Sequence, residues 1–272
     1  MAALEGPLVL VGCGKMGGAM LQGWLDRGLD PADAHVVEPS AAALADFRTA
    51  GVRHYAEGTA LPASLQPRTV LLAVKPQMMD AALPAYRRFV RPATLFLSIA
   101  AGKTIGYFER GLGEAAIVRS MPNTPAAVGR GITVACANRR VTAAQRAEAD
   151  ALLGAVSEVH WVDDEALIDP VTAVSGGGPA YVFLLIEYLT EAGVAAGLPA
   201  ELAMRLARVT VSGAGELARR SPESAATLRQ NVTSPAGTTL EALKILMAED
   251  GLKPLLTRAI AAATRRSREL AS

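Results

Sequence analysis

Three glycines near the start of the chain restrict its fold more strongly than any other feature of the sequence. Gly12, Gly14 and Gly17 form a G-x-G-x-x-G pattern that follows the strand-like run LVLVG (8–12) and opens a helix running to about Arg27. Glycines at this spacing permit a tight turn, close approach of the backbone to a pyrophosphate, and close packing of the helix on the strand. The free N–H groups of a helix N-terminus favour phosphate binding. The pattern therefore predicts a dinucleotide-binding βαβ unit.

Further short apolar runs recur up to about residue 164, each bounded by Gly, Pro or Asp. They are HVVE (35–38), TVLLAV (69–74), TLFLSI (94–99) and AAIVRS (115–120). Continuous rather than alternating apolarity is typical of parallel strands that helices cover on both faces. We therefore predict an α/β fold in which a Rossmann-like, doubly wound dinucleotide-binding domain spans residues 1–164.

The strand signals stop after Asp164, and apolar residues then recur at helical spacing. One helix face is formed by Tyr181, Leu184, Leu185, Tyr188, Leu189 and Ala192. Gly197 and Pro199 separate this helix from another that runs to about Arg220, and about five helices are expected in total. Residues 165–272 are thus predicted to form an all-α domain. Because its helices are apolar on more than one face, we favour dimerisation through this domain over packing on the first domain alone.

The composition restricts the partners and the compartment. With 27 basic and 26 acidic residues the net charge is +1, so no overall field attracts nucleic acid or a membrane surface, and a small-molecule substrate is expected. Cys13 and Cys136 are too few for a disulfide framework, and no residue spacing matches a zinc site. The sequence shows no secretory signal pattern and no apolar run of roughly 20 residues. We expect a cytoplasmic protein without a bound metal.

Glu38 provides a second cofactor signal, because it lies at the end of the second predicted strand, 21 positions after Gly17. An acidic side chain at this place can accept hydrogen bonds from a ribose 2′-OH. It would repel a 2′-phosphate, so the electrostatics favour NADH over NADPH. Cys13 within the glycine pattern is either a small filler or, because it lies at a helix start, a thiol of lowered pKa.

Other loops follow predicted strands and therefore lie at the same edge of the sheet, where open parallel sheets bind ligands. AVKPQMM (73–79) places Lys75 near phosphate or ribose, and IAAGKT (99–104) follows the next strand. In RSMPNTP (119–125) two prolines stiffen a loop where polar groups can meet a nicotinamide, and hydride transfer requires such a fixed geometry. Ser175 and the three glycines that follow it, in VSGGGPA, directly precede the first helix of the second domain.

The predicted helical domain has few candidate proton donors, and this restricts the type of reaction. No lysine lies between residues 104 and 243, and neither Tyr181 nor Tyr188 has a lysine four residues later. The three histidines lie within residues 1–164, and His35 and His54 flank predicted strands in structural positions. Reduction of a carbonyl develops an alkoxide that needs a positioned proton donor, whereas a protonated imine already carries its proton. The sequence therefore favours reduction of C=N over C=O.

NVTSPAGTT (231–239) is a polar break within the helical half. If Thr238 and Thr239 begin the next helix, the loop presents hydroxyls together with unpaired backbone N–H groups. Such a loop can bind a small amino-acid carboxylate without an arginine. The alternative is that these hydroxyls only cap the helix.

These blocks together resemble those of the pyrroline-5-carboxylate reductase family. NVTSPAGTTLEALKILM is similar to its signature, and GCGKMGG, AVKPQ, RSMPNTPA and VSGGGPAYVF resemble its other blocks in the same order, over residues 8 to 270. The resemblance implies reduction of Δ1-pyrroline-5-carboxylate to L-proline with NAD(P)H, the last step of proline biosynthesis. It also implies a Rossmann domain followed by a helical dimerisation domain, with dimers often assembled into decamers.

The resemblance also implies roles for individual residues. Thr239 is expected to hydrogen-bond the ring nitrogen as the catalytic residue. The substrate-binding residues are expected to be Ser175, Ser234, Gly237, Thr238 and Thr239. The cofactor-binding residues are expected to be Gly12, Gly14, Lys15, Met16, Gly17, Glu38, Ser40, Ala73, Val74, Lys75, Pro76, Pro122 and Asn123, the last two beside the nicotinamide.

The sequence departs from the family pattern at three positions. Ala236 stands where Gly is frequent, Gly177 where Ser is frequent, and Met247 where a polar residue is usual. Ala236 is compatible with a carboxylate-binding loop unless its backbone requires a positive φ. Glu38 disagrees with the family's frequent preference for NADPH, so both cofactors stay open. The competing hypotheses are a β-hydroxyacid dehydrogenase, which needs a lysine that the first helix of the second domain lacks, and a non-catalytic nicotinamide sensor.

Overall fold

The computed structural model of the chain describes residues 4–48 and 50–271. Their Cα positions separate into two compact units, which we call the first unit (Met1–Gly176 with Ala263–Ser272) and the second unit (Gly177–Ala262). Among the described residues, no helix combines the length and the apolarity that a bilayer crossing requires.

The first unit contains an eight-stranded sheet with the order β3-β2-β1-β4-β5-β6-β7-β8. Its strands are β1 (Leu8–Val11), β2 (Ala34–Val37), β3 (Arg53–Tyr55), β4 (Thr69–Leu72), β5 (Leu95–Ser98), β6 (Ala116–Met121), β7 (Gly131–Ala137) and β8 (Ser157–Trp161). The first six strands are parallel, with Leu8 opposite Ala34 on one side and Thr69 on the other. This is the doubly wound order, in which the strand succession reverses between β1 and β4.

Helices cover both faces of this sheet. They are α1 (Lys15–Asp26), α2 (Ala45–Arg48), α3 (Met79–Ala82), α4 (Ile105–Leu112), α5 (Ala143–Leu153) and α6 (Ile168–Val171). Alternate residues of β1 enter separate cores, because successive side chains of a strand point to opposite faces. Leu8 and Leu10 pack with Trp24 of α1, whereas Val9 and Val11 pack with residues such as Phe108 of α4. The continuous apolarity of the strands thus reflects two cores, one on each face.

The second unit consists of helices. They are α7 (Gly178–Ala195), α8 (Ala200–Arg220), α9 (Ala225–Asn231), α10 (Thr238–Leu246) and α11 (Leu252–Ala271), whose last turns belong to the first unit. Gly197 has φ +99° between α7 and α8. A Cβ placed on Gly193 would lie 3.2 Å from Cβ of Ala203, so small residues allow α7 and α8 to approach closely. Within residues 177–262, all of which are described, the buried residues are Ala203 and Ala207.

The predicted fold class is confirmed, and the sheet contains three strands beyond those predicted. A doubly wound α/β unit is followed by a helical unit, and the five predicted helices of the second half are present. The five predicted strands are parallel, as expected. Beyond them, β7 is antiparallel to β6, and β8 runs parallel to β7. Strands β3, β7 and β8 were not predicted.

Candidate functional site

The three glycines after β1 have different roles in the loop that leads into α1. Gly12 has φ +90°, and a Cβ there would lie 2.9 Å from the carbonyl oxygen of Ala73. A Cβ on Gly17 would lie 2.2 Å from the carbonyl oxygen of Gly12. A Cβ on Gly14 would meet no protein atom within 4 Å. Gly12 and Gly17 are therefore required by packing, whereas Gly14 faces open space that a ligand can approach.

The N-terminus of α1 is open toward the same space. Gly14 is the N-cap residue, and no side chain caps the helix there. Lys15 is exposed and Met16 is half-buried. The first N–H groups of a helix lack intrahelical acceptors, and the helix dipole favours an anion beside them. The loop thus has the geometry that a pyrophosphate needs.

Glu38 lies beside this loop and is fixed by backbone donors. Its carboxylate accepts hydrogen bonds from the N–H groups of Cys13 (2.9 Å) and Ser40 (3.0 Å). The backbone N–H of Glu38 donates to the carbonyl of Tyr55, which continues the pairing of β2 with β3. A carboxylate has about four lone-pair sites, so acceptor capacity remains for ribose hydroxyls.

The two histidines near this edge have structural contacts. Nδ1 of His35 lies 3.1 Å from the hydroxyl of Tyr55, and the two rings stack at 5.7 Å. Burial, together with the nearby charge of Arg53, lowers the pKa of His35. Nε2 of His54 lies 2.7 Å from the carbonyl oxygen of Glu38.

Cys13 is not an activated thiol. Burial and, to a smaller extent, the negative charge of Glu38 raise its pKa to about 11. A thiol of this kind stays protonated at neutral pH and is a poor nucleophile. Of the two interpretations of Cys13, the structure supports the small filler.

The loop after β4 packs directly on the glycine loop. The N–H of Ala73 donates to the carbonyl of Val11 (2.8 Å), and Cγ1 of Val74 lies 3.1 Å from the Cβ position of Gly12. Lys75 is exposed and precedes the 3-10 turn Pro76–Met78. The structure thus brings Ala73 and Val74 against the predicted phosphate loop and leaves the ammonium group of Lys75 in solvent.

The loop after β6 brings two predicted site residues together. Pro122 is buried, and Asn123 precedes the 3-10 turn Thr124–Val128. Nδ2 of Asn123 donates to Oγ of Ser175 (3.3 Å), and its Oδ1 accepts from the N–H of Ile132 (3.0 Å). Ser175 lies in a π-helical turn (Thr172–Gly176) directly before α7. Short π-helical segments are frequent at functional sites.

The predicted carboxylate-binding loop belongs to the second unit, between α9 and α10. Helix α10 begins at Thr238, its N-cap residue is Gly237, and no side chain caps it. Among the described residues, the hydroxyls of Ser234, Thr238 and Thr239 make no hydrogen bond, and these three residues are exposed. The alternative that these hydroxyls serve as helix caps is therefore not supported. They stay available to a ligand beside the free N–H groups of α10.

The backbone of this loop requires an unusual conformation at Ala236. Its φ is +57°, and among the described residues it is the one non-glycine residue with a positive φ. A positive φ was the condition under which alanine in place of the family's frequent glycine was expected to matter, and Ala236 meets it. At Gly237 a Cβ would lie 2.3 Å from Oγ of Ser234, so a larger residue there would displace that hydroxyl. Of the other departures, Gly177 is half-buried before α7, and Met247 is exposed at the end of α10.

Two charged clusters of the first unit were not predicted. The buried guanidinium of Arg119 pairs with Glu165 (2.7 Å), and the same carboxylate oxygen accepts from the N–H of Ile105 at the start of α4. Lys103 lies 3.4 Å from Asp80 and 4.1 Å from the centre of the Tyr107 ring. Burial and the hydrogen bond to Asp80 raise the pKa of Tyr107 to about 12. Sequence spacing gives no signal for either cluster, because each joins separate elements.

The residues that the structure describes contain no group of three or more His, Cys, Asp or Glu side chains suited to a metal ion.

Comparisons with known proteins agree with this arrangement. A family model described as pyrroline-5-carboxylate reductase dimerisation matches residues 165–270. A model described as NADP oxidoreductase coenzyme F420-dependent matches residues 7–102, which include the glycine loop and Glu38.

The chain also resembles whole proteins over almost its full length. It is 41% identical to a pyrroline-5-carboxylate reductase of Pseudomonas aeruginosa, covering 97% of this chain and 96% of that protein. Its fold matches a pyrroline-5-carboxylate reductase structure from Coxiella burnetii with TM-score 0.90 and 35% identity, covering 98% and 99% of the two chains. A Plasmodium falciparum pyrroline carboxylate reductase with NADP bound matches with TM-score 0.85 and 29% identity over the whole of both chains. The chain therefore belongs to the pyrroline-5-carboxylate reductase family of NAD(P)H-dependent oxidoreductases.

Proposed function

We propose that this protein reduces Δ1-pyrroline-5-carboxylate to L-proline by hydride transfer from NADPH or NADH, the last step of proline biosynthesis. The observation that carries the proposal is the loop before α10, where three exposed hydroxyls and the N–H groups of Thr238 and Thr239 make no internal hydrogen bond. An uncharged receptor of this kind suits a small carboxylate. It also avoids placing a cation beside a protonated imine.

The cofactor is proposed to bind along the edge formed by the loops after β1, β2, β4 and β6. Its pyrophosphate would lie at Gly14, Lys15 and Met16, and Gly12 and Gly17 shape the turn. Glu38 and Ser40 would contact the adenosine ribose, and Ala73, Val74, Lys75 and Pro76 would line the next part of the edge. Pro122 and Asn123 would lie beside the nicotinamide, whose dihydro form supplies the hydride. The open space at Gly14 and the uncapped start of α1 fit such a ligand.

The substrate is proposed to bind through its carboxylate to Ser234, Gly237 and Thr238. Thr239 would hydrogen-bond the ring nitrogen as the catalytic residue, and Ser175 would contribute a further polar contact. Two or three hydrogen bonds to a charged group, each worth about 1.5–3 kcal/mol, are sufficient for micromolar to millimolar binding after ordering costs. Because the protonated imine already carries its proton, these residues need only bind and orient it.

The comparisons assign a dimerisation region, and the chain accordingly oligomerises. We further propose a homodimer formed through the exposed apolar helices of residues 165–272, with residues 1–164 as the cofactor domain and dimers able to assemble into a decamer. Cys13 and Cys136 are both free thiols, which agrees with a cytoplasmic location.

A spectrophotometric assay tests the proposed activity. Purified protein should oxidise NADPH or NADH, read as loss of absorbance, only when pyrroline-5-carboxylate is added, and L-proline should form in equal amount. A 3-hydroxy acid with the oxidised cofactor serves as the control for the competing dehydrogenase hypothesis. Turnover of the hydroxy acid without turnover of the imine would refute the proposal, and cofactor binding without any imine reduction would favour the sensor.

A further inference from the structure

A chain of hydrogen bonds in the first unit makes the hydroxyl of Ser175 an acceptor. The backbone N–H of Ile132 donates to Oδ1 of Asn123 (3.0 Å), and Nδ2 of Asn123 lies 3.3 Å from Oγ of Ser175. A backbone N–H can only donate, so the amide oxygen of Asn123 must face Ile132 and its NH₂ group must face Ser175. Ser175 is therefore the acceptor in this contact, and its own proton takes no part in it.

The proton of Ser175 has no acceptor elsewhere in the part of the chain that the structure describes. Hydroxyls in helices frequently donate to the carbonyl four residues earlier. Thr172 does so to the carbonyl of Ile168 (2.7 Å), and Thr190 to that of Ile186 (2.8 Å). Ser175, in the π-helical turn, makes no such bond. A half-buried hydroxyl that accepts one bond and keeps its proton free is a donor prepared for a ligand.

We infer that Asn123 is a positioning residue that holds Ser175 as a hydrogen-bond donor to the carboxylate of the bound substrate. The inference rests on the proposed function and adds a role for Asn123 that requires no contact with the substrate. The gain from a neutral O–H donor is largest when its acceptor is an anion. A donor oriented before the substrate arrives also avoids the cost of ordering the side chain during binding.

Asn123→Asp tests this orientation with minimal change in shape. The new carboxylate still accepts from the N–H of Ile132, but its second oxygen can only accept, so Ser175 turns its proton toward it. We expect kcat/KM for pyrroline-5-carboxylate to fall roughly 10- to 100-fold, as in Ser175→Ala. In Ser175→Ala, the Kd for NADH, measured by fluorescence titration, should change by less than about twofold. Ser175→Thr restores a hydroxyl and should recover most of the activity lost in Ser175→Ala.

A double variant that carries both Asn123→Asp and Ser175→Ala distinguishes a positioning role of Asn123 from a general structural role. If Asn123 acts through Ser175, Asn123→Asp should lower kcat/KM by less than about threefold further in the Ser175→Ala background. Losses that multiply, or a loss confined to cofactor affinity, would overturn the inference. If the Asn123 variant does not fold, Ser175→Ala decides, since undiminished kcat/KM would exclude Ser175 as a donor. Failure of the wild-type protein to reduce the imine would instead refute the proposed function.

Discussion

The two units of this protein bury their apolar residues to very different extents. In the first unit every residue of β1, β2, β4 and β5 is buried, and Trp24, Phe96 and Phe108 are almost completely shielded from solvent. In the second unit only two alanines are buried, while large apolar side chains are widely exposed. Those on α7 are Val182, Phe183, Leu184, Leu185, Tyr188, Leu189 and Val194.

This difference shows that the two units have different sources of stability. The sheet unit has a core on each face of the sheet, formed entirely by its own residues. Helices gain most of their stability in proteins from packing of an apolar face, and monomers rarely expose continuous apolar patches of more than a few hundred Å². The helical unit buries few of its own apolar side chains, and its family model is described as a dimerisation region. Its exposed apolar side chains therefore depend on association to be buried.

A charge on the exposed face of α7 should weaken the association of the second unit. Leu185 is 50% exposed, and Leu185→Glu would bury an unpaired carboxylate at the proposed interface. Such a charge costs about 3–5 kcal/mol, so the dimer dissociation constant should rise by at least about 100-fold. Sedimentation velocity over a range of concentrations measures the change. Ala93→Glu, at an exposed turn of the first unit, is the control and should leave association intact; normal association of Leu185→Glu would exclude this face.

A cavity in the first unit should lower the free energy of unfolding of that unit equally at all protein concentrations. Leu71 in the centre of β4 has no exposed surface, and Leu71→Ala removes core contacts. We expect a loss of about 2–5 kcal/mol in the free energy of unfolding of the first unit. Chemical denaturation followed through its tryptophans should give the same loss at low and high protein concentration. A loss that disappears at high concentration would mean that this unit also depends on association.

A substitution in the ligand loop of the second unit should change the kinetics with the substrate without changing cofactor affinity. Thr239→Ala should lower kcat/KM for pyrroline-5-carboxylate roughly 10- to 100-fold, which corresponds to one hydrogen bond to a charged group. The Kd for the cofactor should stay unchanged, because Thr239 belongs to the second unit's loop and the glycine pattern to the first. Thr239→Ser keeps the hydroxyl and is the matched control. Unchanged kinetics in Thr239→Ala would remove Thr239 from the site.

Glu38→Ser should have the complementary effect on the cofactor. The substitution removes a negative charge and frees the N–H groups of Cys13 and Ser40, which Glu38 now occupies. Both can then donate to a 2′-phosphate, so the ratio of kcat/KM for NADPH to that for NADH should rise by roughly tenfold. Glu38→Gln removes the charge but keeps an acceptor and should shift the ratio less. A fixed ratio in Glu38→Ser would place ribose recognition elsewhere.

The sequence predicts the central part of the fold because strands buried on both faces leave continuous apolar runs. Strands β3 and β8 are short or half-exposed edge strands, with burial that alternates or is incomplete, and their sequences resemble loops. Strand β7 carries a readable apolar signal, in GITVACA, that the prediction omitted. Its reversed direction has no local signal, since direction depends on the path of the connection.

The loops of the site were also predictable, but their internal geometry was not. Glycine spacing and polar breaks locate the loops along the chain. The contact of Asn123 with Ser175 joins residues 52 positions apart, and that of Arg119 with Glu165 joins residues 46 positions apart. Such pairs depend on the tertiary placement of strands and helices. The positive φ of Ala236 is equally hidden, because alanine by itself disfavours that conformation.

Ala236 allows the smallest and most local test of the second unit. A left-handed backbone costs a non-glycine residue about 1–2 kcal/mol, and the greater freedom of glycine in the unfolded chain offsets about 0.5–1 kcal/mol of that. Ala236→Gly should therefore raise Tm slightly, by about 2–4 °C at most. The same substitution at the exposed Ala242 inside α10 should lower Tm, because glycine costs about 1 kcal/mol in a helix. Opposite signs at two sites so close together would show that the loop imposes a strained backbone; equal losses would contradict a left-handed conformation at Ala236.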